Sequence, residues 1–216
     1  MKILNPILTI VSILFVGACG NTKQDQTIAK LPAPKSSEQT ATFAAGCFWS
    51  IQEGFTELKG VSKATSGYSG GTTKNPTYEE VGTDRTGHAE AVQVIYDPNV
   101  ISFSQLVDAF LYMHDPTQLN RQGPDIGTSY RSVAFYRNAA EKKQIESAIL
   151  KFTRAKLHPE PIVTEVKAFD VFYAAEEYHQ NYYRLHPTDG YIQNVCGPKL
   201  NKLREAVPHL LKDEFK

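Results

Sequence analysis

The chain has 216 residues, of which 41% are hydrophobic and 21% charged, and this is the composition of an ordinary globular protein. Its formal net charge is zero, which argues against a nucleic-acid partner or an anionic-membrane partner. The three cysteines are too few and too scattered for a disulfide scaffold or a zinc site: Cys19, Cys47 and Cys196.

The first residues have the pattern of an export signal. Lys2 supplies a positive charge, residues 7–16 are mostly apolar, and small residues lead into Cys19. The sequence there resembles a bacterial lipoprotein cleavage site: Val16-Gly17-Ala18-Cys19. We therefore expect a signal peptide over residues 1–18 and a lipid anchor on Cys19, because the apolar run is short for a membrane span. The alternative is a secretory signal with an incidental cysteine.

A polar stretch without apolar periodicity follows the signal. We expect residues 19–39 to be the lipidated cysteine and a flexible tether, with a reach of about 65–70 Å when fully extended. The folded domain is expected over residues 40–216.

Strand-like and helix-like patterns alternate through this domain. Predicted strands cover residues 42–45, 61–68, 88–96, 130–136 and 162–168. Predicted helices cover residues 48–59, 174–185, 199–211, a segment from a capping box at Ser102 to Met113, and a segment after Asn138. The pattern predicts a two-layer α/β domain with helices packed on one sheet. Alternation over 88–96 favours a mixed sheet over a parallel one.

Cys47 lies where the first predicted strand meets the first predicted helix. The free N–H groups and the positive dipole at a helix start favour a thiolate and lower a thiol pKa. A reactive nucleophile is one interpretation, and a buried structural thiol is the other. Phe48 and Trp49 are either core aromatics or an apolar socket for a small substrate group.

Glu90 lies on a predicted strand, on the same face as His88 and Val92. Poor solvation would raise the pKa of this carboxyl and make it a general acid near neutral pH. Alternatively, Glu90 is one partner of a structural ion pair. A metal site made of His88, Glu90 and Cys47 is disfavoured because the ligand spacing is absent, and we expect no metal.

Two tyrosines and one helix complete the candidates. Tyr78 and Tyr130 carry phenols on or beside loops, where functional groups concentrate, although each alone is typical of packing. His179 and Tyr182 are three residues apart on a predicted helix and would share a face. The alternative is that they belong to the side of a helix whose polar groups are satisfied and have no function.

Several motifs together resemble the A-type peptide-methionine sulfoxide reductases, in the same order and over about residues 42–211. They are Gly46-Cys47-Phe48-Trp49, Gly67-Tyr68-Ser69-Gly70-Gly71, Tyr78-Glu79-Glu80-Val81, Gly87-His88-Ala89-Glu90-Ala91-Val92, Leu119-Asn120-Arg121-Gln122-Gly123, Asp125-Ile126-Gly127-Thr128, Tyr130-Arg131-Ser132 and Glu176-Glu177-Tyr178-His179-Gln180. The resemblance implies an α/β sandwich with a ferredoxin-like core around a mixed sheet. It implies reduction of the S-epimer of methionine sulfoxide, free or in proteins, without a bound cofactor.

The resemblance also implies residue roles. Cys47 would attack the sulfoxide sulfur, and Glu90 would protonate its oxygen. Two phenols would hydrogen-bond that oxygen, those of Tyr78 and Tyr130. The substrate-binding positions would be Phe48, Trp49, Asp125, His179 and Tyr182.

The sequence departs from much of this family near its end. Many relatives carry a resolving cysteine directly after a Gly-Tyr pair, whereas Ile192 follows Tyr191 here and the next thiol is Cys196. Cys196 is either the resolving thiol or a bystander, in which case an external thiol must reduce the sulfenic acid. The expected partners are oxidised proteins, free methionine sulfoxide and thioredoxin or a thioredoxin-like reductant.

The expected location is the bacterial cell envelope, where the protein would be a lipid-anchored monomer and its reductant would lie on the same side of the membrane. Two other functions have to be distinguished. A thiol peroxidase also forms a sulfenic acid, but a peroxide needs no methyl socket. An anchored binding module would form no sulfenic acid at all.

Overall fold

The computed structural model describes residues 26–216. The predicted signal peptide and the predicted anchor at Cys19 lie outside the described residues. Within the described part of the chain, none of the helices has both the length and the apolar character that crossing a membrane requires.

A six-stranded sheet forms the centre of the molecule, in the order β7-β6-β1-β3-β2-β8. Its neighbouring strands are antiparallel except β6 and β7, which are parallel, so the sheet is mixed as predicted. A separate two-stranded hairpin is formed by β4 and β5. The strands are β1 Gln39–Ala45, β2 Val61–Ser69, β3 Ala89–Tyr96, β4 Arg121–Gln122, β5 Asp125–Ile126, β6 Ser132–Tyr136, β7 Glu165–Ala168 and β8 Phe172–Ala174.

Helices cover one face of this sheet and enclose the main core. Phe43 of β1 stacks between Phe55 and Phe110, with ring centroids 5.1 and 5.0 Å away. The opposite face carries small residues such as Ala89 and Ala91 and a smaller apolar cluster. The helices are α1 Phe48–Thr56, α2 Tyr78–Gly82, α3 Phe103–Met113, α4 Ala139–Arg154, α5 Tyr182–Leu185 and α6 Gly197–Ala206. This two-layer arrangement confirms the predicted fold class.

Local signals fix several helix boundaries. Ser102 and Gln105 form the predicted capping box at the start of α3. The Asn138 side chain accepts the backbone N–H of Glu141 at the start of α4.

An ion pair holds the last helix on the domain. Arg204 donates to the buried Glu57 carboxylate over 2.9 and 2.6 Å, and this contact holds α6 against the end of α1.

The predicted helix over residues 174–185 is wrong. This segment contains the end of β8, one 3₁₀ turn (Glu177–His179) and the short α5. The Gln180 amide interrupts a helix because it bonds both the N–H and the C=O of Ser66 in β2, each over 3.0 Å. Asn181 then adopts a left-handed conformation with φ of 56°. The last helix is also shorter than predicted, and a π-helical turn, Ile192–Cys196, precedes it.

Part of the predicted tether is docked on the domain. Ile28 forms an antiparallel bridge with Glu176, and the Ala29 N–H donates to Ala175 over 3.0 Å. The Glu177 N–H donates to Thr27 over 2.7 Å. These contacts satisfy main-chain groups that follow the edge strand β8. The expectation of a free tether is therefore wrong for residues 27–29.

Candidate active site

The sequence candidates converge on one cavity of about 300 Å³ beside the start of α1. Larger cavities exist in the described part of the chain, including one of about 560 Å³, but that one has no cysteine in its wall. The smaller cavity is lined by Cys47, Phe48, Trp49, Tyr78, Glu90, Asp125, Tyr130, Asp189 and Tyr191. The structure thus brings together seven residues that the sequence analysis singled out.

A tight turn delivers Cys47 to the cavity. Gly46 has a φ of 73°, and Cys47 follows it as the N-cap residue of α1. A β-carbon at position 46 would lie 2.5 Å from the Gln122 side chain, so only glycine fits both the space and the backbone. The predicted placement of Cys47 at a strand-to-helix junction is confirmed.

Cys196 is the immediate neighbour of Cys47. Both thiols are free and buried, and each changes the pKa of the other. Burial raises the pKa of the Cys47 thiol well above its ordinary value, and the contact with Cys196 adds to this rise. The side chain of Cys47 in turn lowers the pKa of Cys196.

The predicted lowering of the Cys47 pKa is therefore wrong for the resting site. The first turn of the helix does favour the thiolate, through the Trp49 backbone N–H, but removal from water outweighs this effect. The resting Cys47 holds its proton.

Glu90 lines the same cavity, next to the start of α1. Its side chain is buried, with 3% exposure, and Oε2 accepts the backbone N–H of Phe48 over 3.0 Å. Burial raises the pKa of Glu90 well above its ordinary value, and the neighbouring Cys47 raises it further. The predicted direction of this shift is confirmed, and the carboxyl is the protonated acid that the cavity favours.

Two phenols face the same space. The backbone N–H of Tyr78, at the start of α2, donates to the buried Glu176 carboxylate over 3.0 Å. Tyr130 ends a 3₁₀ turn that Arg131 holds through a 2.8 Å bond to the Thr128 carbonyl. Burial, reinforced by Glu90, raises the pKa of both phenols. Both are therefore hydrogen-bond donors at neutral pH.

The Trp49 indole forms an aromatic wall. It stacks on Tyr182 with ring centroids 3.8 Å apart and meets Tyr191 edge-on at 5.9 Å. Its N–H donates to His179 Nδ1 over 3.2 Å. Burial lowers the pKa of His179 to about 4, so the ring is neutral and can accept this bond. The prediction that His179 and Tyr182 share a helix face is wrong, because His179 lies in a 3₁₀ turn and Tyr182 in α5, but both contact Trp49.

The sequence analysis missed two residues of the wall, Tyr191 and Asp189. The Tyr191 hydroxyl donates to Asp125 over 2.5 Å, and Asp189 accepts the Tyr191 backbone N–H over 2.7 Å. The Gly190-Tyr191 pair is the sequence feature that could have indicated them.

His88 lies away from the cavity wall. Its Nδ1 accepts the Gly71 N–H over 3.1 Å, and its Nε2 lies 2.8 Å from the Thr73 carbonyl, so the ring ties a loop to β3. Among residues 26–216, no three metal-ligating side chains come together in a way that could hold an ion.

This constellation defines the class of protein. A thiol, a protonated carboxyl and two phenol donors surround a small cavity with aromatic walls. Such a site can attack a polar electrophile with sulfur while it supplies a proton to the departing oxygen. It is the site of a cysteine-dependent oxidoreductase.

Comparison with known proteins supports this class. The chain matches the family model of peptide methionine sulfoxide reductase over residues 39–210. It is 47% identical to a peptide methionine sulfoxide reductase MsrA of Natronomonas pharaonis over 167 residues, which cover 77% of this chain and 94% of the relative. The structure resembles reduced Mxr1 of Saccharomyces cerevisiae, with a TM-score of 0.67, 32% identity and coverage of 76% and 92% of the two chains. It also resembles Mxr1 in complex with Trx2, with a TM-score of 0.50, 22% identity and coverage of 70% and 89%.

The chain belongs to the peptide methionine sulfoxide reductase family. It is an oxidoreductase of the A type, which acts on the S-epimer of peptide methionine sulfoxide.

Because Glu90 is buried, we expect the stability of the protein to depend on pH. Because its pKa is higher in the folded than in the unfolded state, the wild type is most favoured below the unfolded value of about 4.3 and loses stability as pH rises through the folded pKa. Glu90→Gln cannot ionise and keeps an oxygen for the Phe48 N–H. We expect it to become progressively more stable than the wild type above pH ~4.3, by up to ~1.4 kcal/mol per pH unit.

Urea unfolding at intervals from pH 4 to pH 8 would measure this gap. The exposed Glu160→Gln serves as the matched control and should track the wild type at every pH. A constant difference between Glu90→Gln and the wild type across the range would contradict a raised pKa at Glu90.

Proposed function

We propose that the enzyme reduces methionine sulfoxide through a sulfenic acid on Cys47. The observation that carries this proposal is the burial of the Cys47 thiol and the protonated Glu90 carboxyl in one cavity. The Cys47 sulfur attacks the sulfoxide sulfur, and Glu90 gives its proton to the sulfoxide oxygen. The oxygen passes to Cys47 as S–OH, the substrate sulfur is reduced to the thioether, and the Cys47 proton restores Glu90.

The surrounding side chains fit this chemistry. Charge develops on the sulfoxide oxygen as the sulfur is attacked, and the phenols of Tyr78 and Tyr130 are donors at that place. The rings of Phe48 and Trp49 form an apolar wall for the substrate methyl group. Asp125 is held by Tyr191 and lies where it can orient the substrate.

Regeneration is proposed to use Cys196. Its thiol is already in contact with Cys47, so attack on the sulfenic acid needs little movement and gives a disulfide and water. A thioredoxin or thioredoxin-like protein then reduces the disulfide. The yeast relative Mxr1 forms a complex with Trx2, which supports a reductant of this class.

The proposed location is the bacterial cell envelope, with a lipid on Cys19. The protein would act as a monomer, repair oxidised envelope proteins and receive electrons on the same side of the membrane. The sequence pattern that ends at Cys19 supports this proposal.

The acid role of Glu90 has a kinetic consequence. General acid catalysis typically contributes about 10²–10⁴-fold to a rate, so we expect Glu90→Gln to lower kcat by that factor at neutral pH. Steady-state reduction of methionine S-sulfoxide would measure it, with Glu160→Gln as the control. An unchanged kcat for Glu90→Gln would remove Glu90 from the mechanism.

A thiol count after one turnover tests the two cysteine roles. Without an external reductant, the wild type should lose two thiols per methionine formed. Cys196→Ser should lose one and hold a sulfenic acid that a dione probe labels, and Cys47→Ser should form no methionine.

The same experiment separates the other functions. Peroxide in place of methionine sulfoxide should oxidise Cys47 far more slowly, whereas a faster reaction with peroxide would favour a thiol peroxidase. Absence of any labelled sulfenic acid in Cys196→Ser would favour a binding module.

Metabolic labelling with a radioactive fatty acid tests the anchor. The wild type should carry the label and remain with membranes, and Cys19→Ser should carry none. Equal labelling of both proteins would refute acylation at Cys19.

A further inference from the structure

Lys199 is a half-buried lysine near the thiol pair, and its terminal nitrogen is buried. It lies in the first turn of α6, three residues after Cys196. Its Nζ is buried and has no hydrogen-bond partner. A β-carbon built on Gly46 would lie 3.6 Å from this Nζ, so the ammonium group reaches the backbone turn that presents Cys47.

This position is costly unless an anion offsets the charge. A buried ammonium group without a partner loses its hydration and gains nothing in return. Within residues 26–216, Lys199 forms no salt bridge. Lys202, one turn further along the same helix, is exposed to solvent. The arrangement suggests an anion that exists during only part of the reaction cycle.

The thiols are the groups that can supply this anion. Lys199 favours the charged form of both Cys47 and Cys196. Burial raises the pKa of Cys47, whereas the neighbouring Cys47 side chain lowers the pKa of Cys196. Charge near the pair therefore settles on Cys196.

Other titratable groups also face this pair or Lys199, and they come from several elements. Glu90 is kept neutral by burial, and the Asp115 carboxylate is occupied by Thr117 and Gln118. Burial lowers the pKa of His114 to about 4, so it is neutral. The remaining groups are Asp125 of β5 and the phenols of Tyr78, Tyr130, Tyr182, Tyr183 and Tyr191.

We propose that Lys199 is a positioning residue for the second half of the reaction, in which its ammonium group stabilises the Cys196 thiolate that attacks the oxidised Cys47. This inference rests on the proposed sulfenic acid cycle. The Cys196 sulfur forms a bond to the Cys47 sulfur, and the S–O bond breaks. Hydroxide leaves and combines with the proton from Cys196 to give water, and the two electrons pass between the sulfurs, so no further oxidant is needed.

The test separates the two halves of the cycle. Wild type, Lys199→Met, Lys199→Gln and Lys199→Arg are mixed with methionine sulfoxide without an external reductant between pH 5.5 and pH 9. Methionine release reports the first half, and loss of the second thiol reports disulfide formation. Lys202→Met, one turn further along α6, is the matched control.

We expect the neutral variants to release methionine at a rate within threefold of the wild type. Their disulfide formation should be at least ~10-fold slower at pH 7, with its pH profile moved upward by one unit or more, since one pKa unit is a tenfold change in thiolate. Lys199→Arg should restore most of the profile, and Lys202→Met should match the wild type.

Two results would overturn the inference. One is an unchanged pH profile for disulfide formation in a neutral variant that folds. The other is failure of Lys199→Arg to recover any of the lost rate, because a purely steric role would predict that failure. The proposed function fails separately, if the wild type releases no methionine or loses only one thiol. Loss of a buried unpaired charge should leave folding intact, and two neutral variants guard against a local packing defect.

Discussion

The hydrogen bond from the Phe48 backbone N–H to Glu90 joins the start of α1 to β3, an inner strand of the sheet. It fixes the acid within reach of the thiol that precedes Phe48. A charged carboxylate would accept this bond more strongly, yet burial keeps the carboxyl neutral, so desolvation is the stronger of the two effects. The rest of the site maintains that dry environment: Glu176 holds Tyr78, Arg131 holds the Tyr130 turn, and aromatic rings flank Trp49.

The two neighbouring thiols have different environments, and in the proposed cycle this asymmetry would set the order in which they react. Cys47 lies in the cavity wall, keeps its proton and is the thiol that substrate can reach. Cys196 lies behind it, outside the wall, at the end of a π-helical turn. Its lower pKa suits a group that waits for a sulfenic acid to form and then attacks it. In the proposed cycle, the contact between the two thiols would serve two successive reactions.

Much of this site could be predicted because its signals are local. The turn at Gly46 and the alternation around Glu90 are visible in the sequence, as are the capping residues of α3. Tertiary contacts decide the rest. The amide of Gln180 replaces a predicted helix by bonding Ser66, which is 114 positions away. The direction of the Cys47 pKa shift depends on burial by distant segments, and the contact with Cys196 depends on how the π-helical turn enters α6.

The docked segment at residues 27–29 also limits how far the folded domain can lie from Cys19. Ile28 pairs with the backbone of Glu176, and the carboxylate of Glu176 accepts the backbone N–H of Tyr78 in the cavity wall. Only about seven residues separate this point from Cys19, a contour of ~25 Å at full stretch. Under the proposed acylation of Cys19, this short connection would keep the domain within ~25 Å of the lipid, so that only proteins near the membrane surface could be its substrates.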